Sequence, residues 1–467
     1  MKGEWMSERR SDQTTAKNDG GKTTWRFSRT FWVANLIELF ERAAYYGTFI
    51  TLMVYLTRVV GFSDIWAGVV GSAFACLIYL FPFFTGAAAD RMGFRHALML
   101  AFVLLAIGYA GLGLVPHKVT VLVSLAFIVV GGAFVKPIIT GTVAKASDAT
   151  NRARAYSLFY MMVNIGAFGG KTVAKPVRVY LGIDHVPLYS AGAAVIALIV
   201  VVLFYWPKEN GEKRPGSASE TVHGMLTALK DFRFLALILI TAGFWFIQGQ
   251  LYASMPKYVL RLIGDHASPE WYANVNPFVV VLLVVPVTQL VRRLKPATSI
   301  GIALALIPLS SLSMAASSFL GHSVSFFGIA LHPITIMMVL GISIQGLAEC
   351  FLSPRYLEYA SKQAPPGQEG LYLGYAHLNT FFAWGAAFVA GGFLLDTFCP
   401  DPNTLSPAVR SQYDAFIAGQ GPIPDAYAHA NQMWYWVAAV GVVAFVALLI
   451  YIWVTNRIDA RPEAGSA

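Results

Sequence analysis

Glu38-Leu-Phe-Glu41-Arg42 lies inside the first long apolar segment of this chain, residues 31–57. On insertion scales a charged side chain at the centre of a bilayer costs roughly 2.5–3.5 kcal/mol. Charges this closely spaced are therefore expected to pair with one another or to perform a function. Glu38 and Arg42 are spaced i,i+4, and Glu38 and Glu41 are spaced i,i+3, which places them on one face of a helix. That face is predicted to point into the protein or towards water.

The composition is typical of a protein with many membrane-spanning helices. Of the 467 residues, 56% are hydrophobic and 13% are charged, whereas soluble proteins average about 25% charged residues. A spanning helix needs about 20 mostly apolar residues. About twelve segments meet this requirement: 31–57, 64–88, 96–115, 119–145, 156–181, 187–206, 233–260, 272–291, 298–319, 328–354, 370–395 and 431–455.

Basic residues concentrate in the loops that share a side with both chain ends, which the positive-inside rule assigns to the cytoplasm. The net charge of +9 is explained by this topology, so we expect no nucleic-acid partner. The predicted units are a cytoplasmic tail (1–29), a six-helix bundle (30–206), a cytoplasmic linker (207–231), a second six-helix bundle (232–456, with an extracytoplasmic loop at 396–430) and a cytoplasmic C-terminal tail (457–467). Two such bundles around a polar cavity are typical of transporters built from repeats.

The loop between the second and third spans contains a short motif of small and charged residues. It reads Gly86-x-x-x-Asp90-Arg91-x-Gly93-x-Arg95 and resembles the G-x-x-x-D-R-x-G-x-R signature of the major facilitator superfamily. The resemblance implies the major facilitator fold, all-α, with twelve transmembrane helices in two six-helix bundles. It also implies a gating and structural role for these residues. A plain basic turn is the alternative.

A narrower resemblance begins with the charged stretch of the first span. Residues 38–47 resemble the E-x-x-E-R-x-x-Y-Y-G signature of the proton-coupled oligopeptide transporter family, which belongs to that superfamily. Later stretches at the corresponding spans are similar to its Y-L-x-P, F-x-K-P, F-Y-x-x-x-N-x-G-x-F and E-x-x-x-S-P motifs, beginning at Tyr79, Phe134, Phe159 and Glu349. Any one of these matches is weak, but the ordered set is specific.

The resemblance implies that Glu38, Glu41 and Arg42 handle the coupled proton. A carboxylate beside a guanidinium stays ionised, and one released from it in a site of low dielectric constant gains a proton readily. This alternation can couple proton binding to a conformational step. The alternative is a buried ion triad with a purely structural role.

The substrate site is expected between the two bundles. Lys136 is a lone ammonium within the fourth span, where burial demands a carboxylate partner or an anionic ligand; a lysine that snorkels to the interface is the alternative. Glu349 would attract a substrate ammonium from the other bundle. The tyrosines could equally serve in packing. The predicted substrate-binding residues are Tyr45, Tyr46, Tyr79, Lys136, Tyr160, Asn164, Lys171, Gln248 and Glu349.

The chain departs from the family pattern at several cavity positions. The family carries an arginine that helps to hold a peptide carboxylate where this chain has Phe49. It carries a glutamate before a glutamine in the seventh span, where we align Ile247-Gln248. The asparagine that usually follows K-P is Ile138. These changes leave open whether peptides are the substrate.

The fifth span adds cations of its own. Lys171, Lys175 and Arg178 follow Asn164 at offsets of 7, 11 and 14 residues, which is one helical stripe. We therefore hypothesise a cationic cavity wall and a substrate more anionic than a simple dipeptide. The alternative places Lys175 and Arg178 at the outer interface, with Lys171 alone inside.

These observations predict a proton-coupled symporter of peptides or peptide-like, possibly anionic, small molecules that works by alternating access. The alternative is a carrier of non-peptide organic anions or an exporter of amphipathic compounds. Zinc-protease, nucleophile-elbow and phosphate-loop motifs are missing from the sequence, so we expect no enzyme, no metal site and no cofactor, with protons as the coupling ion. We expect a monomer in a bacterial inner membrane, with the lipid bilayer and a small-molecule substrate as its partners.

Overall fold

The computed structural model of the chain describes residues 26–147, 151–207, 230–320, 324–326, 329–363 and 375–459. Most of the predicted N-terminal tail, linker and C-terminal tail lie outside these ranges, as do residues 370–374 at the start of the predicted eleventh span. Within them the chain is overwhelmingly helical. The predicted all-α class is confirmed, apart from one short antiparallel hairpin of β1 (Val324–Phe326) and β2 (Ile329–Leu331).

The first half of the chain forms seven helices that occupy the six predicted spans. Ser28 caps the first helix by accepting from the backbone N–H of Phe31 at 3.3 Å. The second span breaks at Phe81, since Pro82 starts a new helix and lacks the N–H that would continue the old one. The helices are α1 (Arg29–Arg58), α2 (Asp64–Leu80), α3 (Pro82–Met92), α4 (Phe94–Leu114), α5 (Lys118–Lys145), α6 (Arg152–Tyr180) and α7 (His185–Phe204).

The second half repeats this plan with more interruptions. The predicted seventh and eighth spans are each broken, and the polar segment 396–430 contains a helix of its own. The helices are α8 (Phe232–Ala253), α9 (Met255–Ile263), α10 (Pro269–Tyr272), α11 (Val275–Val291), α12 (Pro296–Ala315), α13 (Pro333–Gln363), α14 (Leu378–Phe398), α15 (Pro407–Ile417) and α16 (Gln432–Asp459).

Nine helical segments in the described ranges are long and apolar enough to cross a membrane, and the bent pair α2–α3 would make a tenth. The two remaining predicted spans, α1 and α6, are 30 and 29 residues long. Charged and polar side chains interrupt their apolar stretches. Both helices are long enough to cross a bilayer of about 30 Å, and their charged residues face the interior, as described below.

Glycines bring the two bundles together along α2 and α14. A Cβ added to Gly68 would lie 2.5 Å from the carbonyl O of Phe388, and one added to Gly392 would lie 2.6 Å from the carbonyl O of Asp64. No larger residue fits either position without backbone movement. This contact lies on the side of the molecule that carries residues 396–430, which we call the outer side. The two halves are therefore closely packed at that side.

Candidate functional site

The charged stretch of α1 forms a compact ion triad inside the protein. Glu38 and Glu41 are each 2% exposed. The Nε of Arg42 lies 3.3 Å from Oε1 of Glu38 and also pairs with the carboxylate of Glu41. Oε2 of Glu38 is buried and has no hydrogen-bond partner in the described part of the chain. The predicted inward orientation of this face is confirmed, and one carboxylate oxygen is left without a donor.

A glycine of α6 makes room for the triad. A Cβ added to Gly166 would lie 2.5 Å from the carbonyl O of Leu39 and 2.9 Å from Cβ of Arg42. Because only glycine allows this approach, α6 covers the triad directly. The close packing of α6 on α1 thus explains why a glycine occupies this position of the F-Y-x-x-x-N-x-G-x-F stretch.

Lys136 lies in α5 beside a helix-internal proline, Pro137. Its side chain is exposed, its Nζ lies 5.7 Å from the ring centroid of Tyr79, and it is within electrostatic range of Glu38 and Arg42. These neighbours place it in an open space inside the protein, away from the helix ends where a snorkelling lysine would lie. It forms no salt bridge with any residue that the structure describes.

Glu349 faces the same space from α13 of the second bundle. Its Oε2 accepts from Nε2 of Gln248 at 2.6 Å and from Nδ2 of Asn276 at 3.2 Å. It lies within electrostatic range of Tyr46 and Tyr160 in the first bundle. Both of its hydrogen-bond donors are neutral, so its negative charge is held in place without being cancelled. The sequence motifs did not single out Asn276 as a partner of Glu349.

The predicted tyrosines divide into two groups. Tyr160 is 52% exposed, Tyr46 and Tyr79 are half-buried, and all three line the space between Lys136 and Glu349. Tyr45 is buried and stacks on Phe49 at 5.0 Å between ring centroids, which favours the packing alternative for that residue.

Asn164 is half-buried on the same face of α6 as Tyr160. Its Nδ2 donates to the backbone carbonyl of Tyr160 at 2.8 Å. The amide nitrogen is thereby occupied within its own helix. The amide also makes a side-chain hydrogen bond with the hydroxyl of Tyr160, so the two side chains hold each other in place on this face.

Phe49 belongs to an aromatic cluster that joins the bundles above this space. Its ring stacks on Trp384 at 5.6 Å with an interplanar angle of 13° and lies 4.8 Å from Tyr252. Phe74 and Phe388 complete the cluster. The position of the family's arginine is therefore dry and apolar in this chain. Nε1 of Trp384 is buried there without a partner in the described ranges.

The structure places Ile247, which we align with the family's seventh-span glutamate, away from the cavity. Ile247 is buried inside the second bundle, where its Cδ1 would meet a Cβ added to Gly441 at 2.6 Å. It does not face the cavity, so the residue at this position cannot change the cavity's charge. Gln248 does lie beside the cavity, where its side chain donates a hydrogen bond to Glu349. The next residue, Gly249, packs under Trp384, whose Cδ1 lies 3.3 Å from an added Cβ.

The cationic stripe of α6 also differs from the hypothesis of a cationic cavity wall. Arg178 lies 2.5 Å from Glu270, and Lys175 pairs with Ser268 and lies 4.2 Å from the ring centroid of Trp271. Lys175 and Arg178 thus lie on the outer side, as the alternative expected, and there they also join the two bundles. Lys171 is buried further in and donates to the backbone carbonyl of Ala273 at 3.1 Å.

A second set of buried ion pairs was not expected from the sequence. Asp64 at the start of α2 accepts from Lys257 and from Arg261 of α9, both at 2.8 Å. We call the inter-bundle contacts on the outer side the outer closure: Asp64, Lys171, Lys175, Arg178, Lys257, Arg261, Ser268, Glu270 and Ala273. The space between Lys136 and Glu349 is therefore shut from the outer side.

The facilitator motif lies at the opposite end of the molecule. Gly93 has a φ of 81°, which glycine adopts readily, and a Cβ added to Gly86 would lie 3.9 Å from that of Pro137. Arg95 lies 3.5 Å from the ring centroid of Trp206 and donates to a carbonyl of α7 at 2.8 Å. Asp90 and Arg91 are exposed. Gly93 and Arg95 thus shape the turn, while the gating role of the motif stays a prediction.

No cluster of three or more His, Cys, Asp or Glu side chains suited to a metal ion occurs among the residues that the structure describes. The same ranges contain free thiols at Cys76, Cys350 and Cys399. The expectation that the protein needs no cofactor stays a prediction.

Comparison with known proteins matches residues 32–330 to the Major Facilitator Superfamily. Multidrug resistance protein MdtH of Photorhabdus laumondii is 24% identical over 67% of this chain and 74% of that protein. Dipeptide and tripeptide permease A of Yersinia pestis is 25% identical over 50% of this chain and 46% of that protein, and the permease A of Proteus mirabilis is 30% identical over 40% and 39%. The chain thus spans less than half the length of these peptide permeases.

Solved structures share the fold over nearly the whole chain. A peptide transporter POT in complex with sulfate covers 92% of this chain and 95% of its own, with a TM-score of 0.67 and 20% identity. A structure described for substrate recognition in proton dependent oligopeptide transporters covers 92% and 99%, with a TM-score of 0.70 and 18% identity. These similarities confirm the resemblance to proton-coupled oligopeptide transporters, and the chain belongs to the major facilitator superfamily.

Proposed function

We propose that this protein is a proton-coupled symporter of peptides or peptide-like small molecules. The observation that carries the proposal is the pair of opposite charges across the space between the bundles. Lys136 of α5 has no carboxylate partner among the described residues, and Glu349 of α13 is held by the neutral donors Gln248 and Asn276. A zwitterion can span them, with its carboxylate towards Lys136 and its ammonium towards Glu349.

The ion triad of α1 supplies the proton coupling in this proposal. Arg42 contacts both carboxylates, and Glu38 keeps one buried oxygen without a donor. If the guanidinium shifts towards one carboxylate, the other loses its counter-charge in a site of low dielectric constant and takes up a proton. Lys136 lies within electrostatic range of Glu38, so a substrate carboxylate at Lys136 changes the field on that proton site. Proton and substrate binding are then coupled.

Alternating access follows from the outer closure. Its contacts join α2 and α6 of one bundle to α9, α10 and the loop that follows α10 in the other. Rocking the bundles apart at this side would break these contacts and open the space between Lys136 and Glu349 outwards. We place the protein in a bacterial inner membrane as a monomer, with its termini in the cytoplasm, so that the outer side receives both substrate and protons.

The test is transport by the purified protein in liposomes. We expect uptake of a labelled dipeptide to exceed equilibrium when the outside is acidic. Glu41→Gln should abolish this accumulation while exchange of labelled for unlabelled dipeptide continues, because only the proton step is lost. Asp414→Asn, which changes an exposed carboxylate of α15, is the matched control. Concentrative uptake by Glu41→Gln would contradict the proton role.

A second candidate is a carrier of non-peptide organic anions or an exporter of amphipathic compounds. The observation that favours it is the aromatic cluster around Phe49 at the place of the family's arginine, together with the similarity to a multidrug resistance protein. Thermal stabilisation of the purified protein by amphipathic drugs or organic acids, but by none of a panel of dipeptides, would favour this candidate.

A further inference from the structure

The outer closure contains one buried lysine that has no carboxylate partner among the described residues. The buried basic side chains in the described ranges are Lys171, Arg178, Lys257 and Arg261. The last three each have a carboxylate at 2.5–2.8 Å. Lys171 is 2% exposed, and its Nζ donates only to the backbone carbonyl of Ala273 at 3.1 Å. Its Nζ also lies over the aromatic ring of Tyr46, 5.7 Å from the ring centroid.

Such burial is costly for the closed state. A buried lysine without a counter-ion must either lose the hydration of its ammonium or give up its proton, and both are costly. One carbonyl and one ring face compensate this cost only in part. An apolar residue at position 171 would therefore make a more stable closure. An intramembrane ionisable residue that weakens the state in which it is buried is expected to have its function in another state.

The surroundings of Lys171 show which state this is. The outer half of α6 lies along residues 265–274 of the second bundle, with hydrogen bonds from Asn274 to Thr172 at 3.0 Å, from Lys171 to Ala273, and from Arg178 to Glu270. Separating the bundles at the outer side must part α6 from this segment. Lys171 then loses the carbonyl of Ala273 and faces the open vestibule, seven residues and about 10 Å outward of Asn164 along α6.

We propose that Lys171 binds the carboxylate of substrates that enter from the outer side, in a site that exists only while the outer closure is open. This deepens the proposed function and rests on it. The site would provide from α6 the carboxylate anchor that Phe49 cannot provide from α1. On closure the carbonyl of Ala273 takes the ammonium of Lys171, and the carboxylate is released to Lys136. The site is therefore specific for a carboxylate and is accessible only from the outer face of the membrane.

The experiment measures half-saturation separately at the two faces of the membrane. Labelled dialanine is offered to right-side-out and to inverted vesicles of a host without peptide carriers, and dialanine methyl ester, which lacks the carboxylate, is used as a competitor. In Lys171→Met we expect KM for dialanine at the outer face to rise about tenfold or more, the effect of losing one charge-assisted hydrogen bond. The ratio of the KM for dialanine to the inhibition constant of the ester should rise at the outer face and stay unchanged at the inner face, because a more stable closure affects both ligands alike.

Two further variants separate binding from closure. Lys171→Arg keeps the charge and should retain most of the outer-face affinity. Thr172→Val removes the hydroxyl that accepts from Asn274, which loosens the same helix contact without removing a charge, and should leave the ratio between acid and ester unchanged. An equal loss for acid and ester, or an equal loss at both faces, would overturn the proposal and leave Lys171 as a contact of the closure alone. Wild-type vesicles that transport no dialanine would instead refute the proposed function.

Discussion

Asp64→Asn is predicted to shift the protein from its outer-closed state towards an outer-open one. Asp64 is 2% exposed and accepts hydrogen bonds of 2.8–2.9 Å from Lys257 and Arg261. The asparagine is nearly isosteric but neutral, so Lys257 loses its carboxylate and Arg261 keeps only Asp401, 3.4 Å away. Breaking a buried ion pair by removing one partner costs about 3–5 kcal/mol. An asparagine oxygen still accepts one hydrogen bond, which favours the lower end of this range.

The substitution destabilises the outer-closed state only. When the outer side opens, Lys257 and Arg261 reach water, where the loss of Asp64 matters little. A penalty of about 3 kcal/mol therefore changes the equilibrium between the states by roughly 100-fold. A population of roughly 99:1 in favour of outer closure would become about 1:1. The free energy of unfolding should fall by about 2 kcal/mol, because the outer-open state that now shares the population lies that far above the closed state of the wild type.

The assay is a distance measurement between spin labels at the outer ends of the two bundles. The labels are placed at two exposed positions, Val119 in the first turn of α5 and Gln420 in the turn after α15. The label pair is introduced into a protein whose native cysteines have been replaced. Asp64→Asn should add a population at longer distance. Asp414→Asn should add none, because its partner Arg410 is exposed and such pairs contribute about 0–1 kcal/mol. A distance distribution in Asp64→Asn that matches the control would refute the role of this ion pair in closure.

Other substitutions test the cavity and its support. Glu349→Gln keeps a hydrogen-bonding group beside Gln248 and Asn276 but removes the charge; we expect KM for a free dipeptide to rise about tenfold, with inhibition by its N-acetyl derivative unchanged. Gly166→Val forces a side chain into the 2.5 Å approach to Leu39, so the thermal unfolding temperature should fall and proton-driven uptake should be lost. Phe49→Arg places a cation in the aromatic cluster, and its unfolding temperature should fall because the charge has no partner there.

The predicted ion triad depended on a local argument, and the structure confirms its inward face. The cost of a charge in a membrane span and the i,i+4 spacing of Glu38 and Arg42 are properties of one helix. These two properties do not depend on which helices pack against it. The unpaired state of Lys136 was also visible as a lone charge in an apolar run, although its position opposite Glu349 came only from the family resemblance.

The outer closure could not be predicted in the same way. Asp64 and Arg261 lie almost two hundred residues apart, at the ends of helices in different bundles, where charged residues are ordinary. No spacing rule connects them. Ile247 shows a second limit, since a one-residue uncertainty in an alignment turns a side chain by about 100° around the helix. A rotation of that size moves a side chain from the cavity to the interior of the second bundle.

The outer closure also constrains the other end of the molecule. A transporter works only if its two states differ by a few kcal/mol, because a larger gap traps one of them. Closing the outer side forms buried ion pairs at Asp64 and at Glu270, so the outer-open state needs compensating contacts elsewhere. Asp90 and Arg91 of the facilitator motif are exposed in the outer-closed state and lie at the end that must close when the outer side opens. We therefore expect Asp90 and Arg91 to form ion pairs only in the outer-open state. Neutralising Asp90 would then destabilise the outer-open state, which is the state that Asp64→Asn favours. The double variant Asp64→Asn/Asp90→Asn should then restore the label distances of the wild type.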